Sequence, residues 1–286
     1  AAWRGRPGAR ARVVPTLSPL PGPELTERVL SPSTRLVRDY ARFLGSSGDA
    51  YGASGTVPAH LFPQWTFAVA ARVLRDVPYD LTRILNAGCR LEINASVPAA
   101  SPVTVRARLV GVQDDGHRAL LHQRIVTDTA SHPGALVADL YAVAPVGSRQ
   151  KNGRPKREEA GVPADAREAG RFTFSRRAGL MFALLTGDFN PVHWAPPYAR
   201  AAGFATPILH GFAMMARALD GLGRALFAGA TDRIRTIDVK FKRPLMLGNG
   251  VDVGLYLDRA APRTFYLADA PGVRPYLAGS FDVQRG

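Results

Sequence analysis

Asp188 and His193 are separated by four residues in the string TGDFNPVH, Thr186 to His193. A carboxylate and an imidazole placed this way across a turn can share one cleft and together hold and activate a water molecule. Their unperturbed pKa values, about 3.9 and about 6.5, leave the Asp anionic and the His largely neutral at pH 7, which suits them to base and acid work respectively. Gly187, Asn190 and Pro191 impose an irregular turn, since Gly and Asn tolerate unusual backbone angles and Pro fixes its own. The pair is therefore expected on a loop, where functional side chains are displayed by a rigid scaffold. The competing reading is structural, with Asp188 capping a turn and His193 a satisfied surface residue. Downstream, Pro207-Ile208-Leu209-His210-Gly211 opens an apolar stretch with helical spacing, Gly211 to Phe227, carrying Phe212, Met215, Leu219 and Leu222 on one stripe. The unpaired N–H groups at such a helix start, with their positive dipole density, suit a developing oxyanion, and Gly211 lets a ligand approach the backbone.

Two sets of elements would position these groups. In the first half a helical stretch at Leu61–Val77 is followed by strand-like runs at 89–97, 103–112, 119–127 and 136–143. In the second, a short helix at Arg176–Leu185 precedes the loop, and the helix from Gly211 is followed by strands at 234–241, 251–257, 264–268 and 275–283. The same order twice is the mark of an internal repeat. Between the halves, residues 147–170 are rich in Gly, Pro and charge and read as a linker. Residues 1–23 carry Arg4, Arg6, Arg10 and Arg12 without an acid and read as a flexible leader. The expected division is leader 1–23, a first domain 24–146, linker 147–170 and a second domain 171–286. Each domain is α+β, a long central helix wrapped by an antiparallel sheet.

TGDFNPVH, followed by YARAAGF and PILHG, resembles the hydratase motif of the MaoC-like acyl dehydratases and R-specific enoyl-CoA hydratases; VKFKRPLMLGN, Val239 to Asn249, resembles the strand and turn after their central helix. The resemblance implies two tandem hotdog domains. It also implies that Asp188 and His193 are a catalytic pair holding the water added to a 2-enoyl thioester, with the Gly211 N–H on the thioester carbonyl. Asn190 occupies the family's Asn position, as a loop-shaping or substrate-steadying residue. His210 also has a counterpart, either in substrate binding or as a packing residue at the helix start. One departure stands in the central helix, where some members place a Ser against the catalytic Asp and this chain has Leu219, so another group must orient Asp188. In the first half the aligned region, Arg38 to Phe43, reads RDYARF and lacks the pair. That domain is expected to be catalytically silent, with Leu61, Phe62, Trp65 and Phe67 in core or along an acyl tunnel.

The formal charge of +14 invites a nucleic-acid reading. The basic residues are scattered, however, only four are lysines, and no DNA- or RNA-binding module is present, so an anionic coenzyme or an acidic carrier protein is the better expectation. A single cysteine, Cys89, excludes an intramolecular disulfide framework and fits a cytoplasmic chain. No apolar run reaches the roughly 20 residues that cross a bilayer. No phosphate loop and no convincing metal-ligand spacing is present, so neither cofactor nor metal is expected. The reading is a hydro-lyase on acyl-CoA or acyl carrier protein thioesters, monomeric or homodimeric. A hotdog thioesterase and a non-catalytic acyl-binding or assembly subunit are the alternatives.

Overall fold

A computed structural model of the chain describes residues 22–46, 51, 55–146 and 160–283. The expected leader, except 22–23, and the expected linker up to residue 159 lie outside them. The first half runs β1 (Leu25–Leu30), α1 (Thr34–Phe43), β2 (Thr56–Val57), α2 (Pro63–Val73), β3 (Leu85–Ile93), β4 (Val97–Pro98), β5 (Pro102–Asp114), β6 (Arg118–Asp128) and β7 (Leu136–Pro145). The second runs β8 (Arg167–Phe174), α3 (Ala178–Thr186), α4 (Pro196–Ala201), α5 (Gly211–Phe227), β9 (Ile234–Phe241), β10 (Val251–Leu257), β11 (Thr264–Ala268) and β12 (Leu277–Val283).

Ten strands form one antiparallel sheet in the order β1-β5-β6-β7-β3-β9-β12-β11-β10-β8, while β2 and β4 pair separately. This corrects the expectation of one sheet per domain. β3 and β9 bond directly, Gly88 opposite Lys240 through Glu92 opposite Thr236, so the edge of each half is consumed by the other. The alternation of β6, with Leu121, Gln123, Ile125 and Thr127 buried and their neighbours more open, turns one face of the sheet inward. α2 lies against β1, β5 and β6, and α5 lies against β3, β8 and β9.

α5 begins where Leu209 N–H is bonded to the Leu245 carbonyl and ends at Ala228, whose φ of 50° breaks the helix. Its buried residues run from Ala213 to Gly223 without a break, so it is enclosed rather than amphipathic. Each fully buried Leu or Met along it contributes about 1.5–3 kcal/mol of transfer free energy. One apolar core joins both halves, from Val37 and Trp65 to Met215, Leu219 and Phe281. Leu61, Phe62 and Trp65 belong to it.

β8 begins at Arg167, inside the stretch expected as linker, and Val162 is already buried against Tyr256 and Ala268. The misreading has a physical cause. β8 is an outer strand of the sheet, and Arg167, Glu168 and Arg171 give it the charge that keeps an edge from pairing with other chains. RDYARF forms part of α1, which packs against α3 much as a helix preceding a loop would, so it matches α3 in chain order and not the catalytic string. The stretch after α1, GSSGDAYGASG, contains Asp49 and no His.

Candidate active site

α3 ends at Gly187, whose φ of 83° is a left-handed backbone that glycine adopts without strain, and whose N–H caps the Ala183 carbonyl at 2.8 Å. The chain leaves at a sharp angle and places Asp188, Asn190 and the 3-10 turn Pro191–His193 across the end of the helix. Asn190 caps that turn, its side-chain oxygen accepting the Val192 N–H at 3.2 Å, while its own N–H reaches an Asp188 carboxylate oxygen at 3.3 Å. Gly179 on α3 lets the backbone of His193 lie directly on the helix, since a Cβ there would overlap the His193 carbonyl.

His193 Nδ1 is 2.9 Å from the Ile208 carbonyl oxygen. A carbonyl only accepts, so Nδ1 carries the proton, and in the neutral ring Nε2 is left as an acceptor. His210 is stacked on it, ring centroids 3.6 Å apart and planes 26° apart. Its Nε2 donates to the Asp188 backbone carbonyl at 3.1 Å and lies 3.9 Å from the carboxylate. His210 is 2% exposed, and its Nδ1 is buried with no hydrogen-bond partner among the described residues. Burial pushes both imidazoles below their ordinary range, His210 far below it, and pushes the Asp188 carboxyl up, while the His193 ring opposes that rise. The orienting group that Leu219 cannot supply is thus present in another form: His210 and the Asn190 N–H fix Asp188, while Leu219 is buried in the core.

In the neutral ring the one N–H of His193 is directed at Ile208, so the nitrogen left over is an acceptor. The side-chain atoms of Asp188, His193 and His210 that could bind a metal all lie within 4.8 Å of one another, a grouping that sequence spacing does not disclose. His193 Nδ1 and His210 Nε2 are each engaged by a backbone carbonyl, so each ring has one nitrogen left to offer.

All five residues singled out in the sequence, Asp188, Asn190, His193, His210 and Gly211, face one cavity of about 810 Å³. The N-cap residue of α5, His210, makes no side-chain capping bond, and among the described residues the Gly211 N–H has no acceptor, so it is open to a ligand. Most of the remaining lining is apolar, and more than half of it comes from the first half of the chain, including Phe67, Ala70, Ala71 and Leu74 of α2 and its following turn, Leu140 and Val143 of β7, and Gln123 of β6. α2 is six residues shorter than α5, 11 against 17, and the cavity extends where it stops. Gln123 and the Ile208 carbonyl were not foreseen as part of the site. The carbonyl acts through its backbone, and Gln123 comes from β6, far from the motif.

The MaoC-like domain family matches residues 158–259, which hold the loop, α5 and β9. Residues 158–259 are a MaoC-like domain. Over a longer span the chain is 21% identical to the probable enoyl-CoA hydratase 2 of Dictyostelium discoideum, covering 77% of this chain and 76% of that protein. It is 27% identical to the peroxisomal multifunctional enzyme type 2 of Drosophila melanogaster across 75% of this chain, but spans only 37% of that protein's length. Among solved structures, HtdX of Mycobacterium tuberculosis superposes with a TM-score of 0.70 at 19% identity, over 90% of this chain and 99% of that one. A MaoC-like dehydratase from Phytophthora capsici gives 0.66 at 18% identity, over 92% and 95%. The MaoC-like domain and the sheet it completes therefore have the hotdog-like fold of these dehydratases. No helix among the described residues is long and apolar enough to cross a membrane.

Proposed function

We propose that this chain adds water to 2-enoyl thioesters and, in reverse, dehydrates 3-hydroxyacyl thioesters. The observation that carries the reading is the convergence of the Asp188 carboxylate, the acceptor Nε2 of His193 and the uncapped start of α5 on one wall of an apolar cavity. A water between Asp188 and His193 donates one hydrogen to each and turns a lone pair toward the β-carbon. As its oxygen bonds to the β-carbon, the pair takes up the proton and the electrons move toward the thioester oxygen. There the Gly211 N–H stabilises the enolate, a role whose loss costs about 100- to 1,000-fold where it has been removed elsewhere. The proton then returns to the α-carbon, for which a carboxyl held above its ordinary pKa is suited. His210 positions Asp188 and does not touch the substrate's reacting atoms. No step calls on a metal or a redox group.

The tandem arrangement also belongs to this reading. The strand orders β1-β5-β6-β7-β3 and β8-β10-β11-β12-β9 correspond member for member and meet at β3–β9, as two fused hotdog units would. The first unit, without the Asp–His string, accommodates the acyl tail between α2 and β7. The relatives named as enoyl-CoA hydratases support the reaction class. The test is hydration of crotonyl-CoA and a longer 2-enoyl-CoA, followed as loss of enoyl absorbance, by the wild type beside Asp188→Ala and His193→Ala. A 3-hydroxyacyl product without free thiol, reduced about 100- to 10,000-fold by either change, is expected. Release of free thiol would instead identify a thioesterase, and an inactive wild type on coenzyme A and carrier-protein thioesters alike would point to an acyl-binding subunit.

A further inference from the structure

A second cavity, of about 500 Å³, adjoins the first. The two share Thr82, Leu85, Val143, Asn190 and Tyr198 in their walls, so the passage begins beside the catalytic loop at Asn190. It runs between the MaoC-like domain and the first half, where the Tyr198 hydroxyl donates to the Thr82 carbonyl at 3.4 Å. Its walls include apolar Val192, Ala201 and Phe204, and also Arg83, His117 and Arg118.

The cations at this end differ from those on the other side of the active cavity. There Arg243 is committed three times over: to the Asp269 carboxylate at 2.5 Å, to the Arg274 carbonyl at 2.8 Å and to the face of Tyr276 at 3.6 Å. Among the described residues Arg83 has no side-chain hydrogen bond and no carboxylate within 4 Å, only the longer-range attraction of Asp80, and Arg118 has a loose approach to Asp115 at 3.7 Å. One oxygen of that carboxylate accepts the backbone N–H groups of His117 and Arg118 at 3.0 and 2.9 Å, and the other is the one that the Arg118 guanidinium approaches. The neighbouring Asp114 receives the Tyr79 hydroxyl at 2.9 Å and the Gly116 N–H at 2.8 Å. Two guanidinium groups with donors to spare, in the wall of a cavity that adjoins the reacting centre, match an elongated ligand that carries an anionic group away from its reacting end.

We propose that Arg83 and Arg118 form an anion subsite for the distal end of the thioester substrate, recognising a phosphate or a carboxylate. The inference rests on the hydratase reading for the ligand's class. Two parts of such a ligand carry that chemistry, the phosphates of its carrier and a carboxylate ending its acyl tail.

The experiment compares the full-length wild type with Arg83→Gln/Arg118→Gln on three substrates. These are crotonyl-CoA, crotonyl-pantetheine, which lacks phosphate, and a pantetheine enoyl thioester ending in a carboxylate. A rise in KM of about ten- to a hundredfold at unchanged kcat, confined to substrates with the anion, is expected from the loss of charge-assisted hydrogen bonds. A rise for crotonyl-CoA alone assigns the site to the carrier's phosphates; a rise for the carboxylate-ended substrate alone assigns it to the tail. Unchanged KM on all three overturns the proposal. Calorimetric titration with coenzyme A and with a long-chain dicarboxylate needs no turnover, so a protein inactive on every thioester still decides the matter. Weaker binding of either anion by the variant then upholds the subsite while the hydratase reading fails, and equal binding of both removes the subsite as well. Both side chains are exposed, so the variant's melting temperature should match the wild type's.

Discussion

Replacing Gly211 by Ala tests whether the start of α5 takes part in the reaction. A Cβ built on Gly211 lies 2.8 Å from two atoms of the Phe241 ring and 3.0 Å from a third. Ordinary carbon contacts begin near 3.5 Å, so about 0.7 Å must be absorbed by the ring, by the helix start or by both. Phe241 is packed edge-on against Phe212 and itself lines the cavity, so its ring cannot withdraw without disturbing that wall. Overpacking of this kind costs about 1–3 kcal/mol of stability. The kinetic effect is larger. A displacement approaching 1 Å of a group that must meet the thioester oxygen costs on the order of a hundredfold, close to the lower limit for deleting an oxyanion donor. The expected outcome is a fall of about a hundredfold in kcat for crotonyl-CoA hydration, with the affinity for a saturated, unreactive acyl-CoA changed much less. Adding Phe241→Leu should relieve the overlap and recover a large part of kcat, a coupling that a double-mutant cycle measures directly. Full activity of Gly211→Ala, in a protein whose melting temperature shows that the methyl is accommodated at a cost, would refute the role given to this N–H.

Other outcomes follow from the same geometry. Ala71→Phe places a ring in the arm of the cavity beyond α2 and should leave crotonyl-CoA turnover nearly unchanged while raising KM for a long-chain enoyl-CoA at least about tenfold. His210→Leu removes the donor to the Asp188 carbonyl, so kcat should fall roughly ten- to a hundredfold while the Kd for saturated acyl-CoA holds, the signature of a misplaced carboxylate. His60 is fully buried, and its pKa is lowered by burial to about 3. A depressed imidazole contributes stability that is present above its unfolded pKa near 6.5 and is lost as pH falls toward about 3, at up to about 1.4 kcal/mol per pH unit. His60→Leu should flatten the acid limb of the stability curve in urea titrations from pH 7 to 4. The Tyr40 hydroxyl keeps the His60 backbone carbonyl, at 3.2 Å, as its partner.

What could be read from the sequence divides along the sheet. Inner strands such as β9, β10 and β11 stand at the positions their apolar runs mark, and α5 has the bounds that its stripe and the glycine at its start imply. β3 is displaced from the expected 89–97 to Leu85–Ile93, because Asn86, Gly88 and Arg90 obscure the alternation. Within the ten-stranded sheet the two strands that escaped notice, β1 and β8, are its two ends. A strand bonded on one side and half open to solvent needs charge more than it needs apolar residues, and so it resembles a loop. The candidate site divides in a similar way. Asp188, Asn190, His193, His210 and Gly211 are close in sequence; Asp188, His193 and Gly211 stand out by type and spacing, and Asn190 and His210 by the family resemblance. The tautomer of His193 depends on a backbone carbonyl fifteen residues away, and the acyl arm depends on α2 and β7 of the other half; neither leaves a mark in the motif.

The β3–β9 ladder also bears on how the chain is made. Gly88 waits for Lys240, so during synthesis the first half has β3 bonded to β7 on one side and open on the other until the second half is nearly complete. Such long-range pairing is slow, and an open strand edge is sticky in the meantime. Expressed as two separate polypeptides, each half would carry the edge that the other needs, and mixing should rebuild the ten-stranded sheet. Expressed alone, either half should pair with copies of itself through that edge, so a truncated transcript would yield assemblies of the fragment and not a smaller working enzyme.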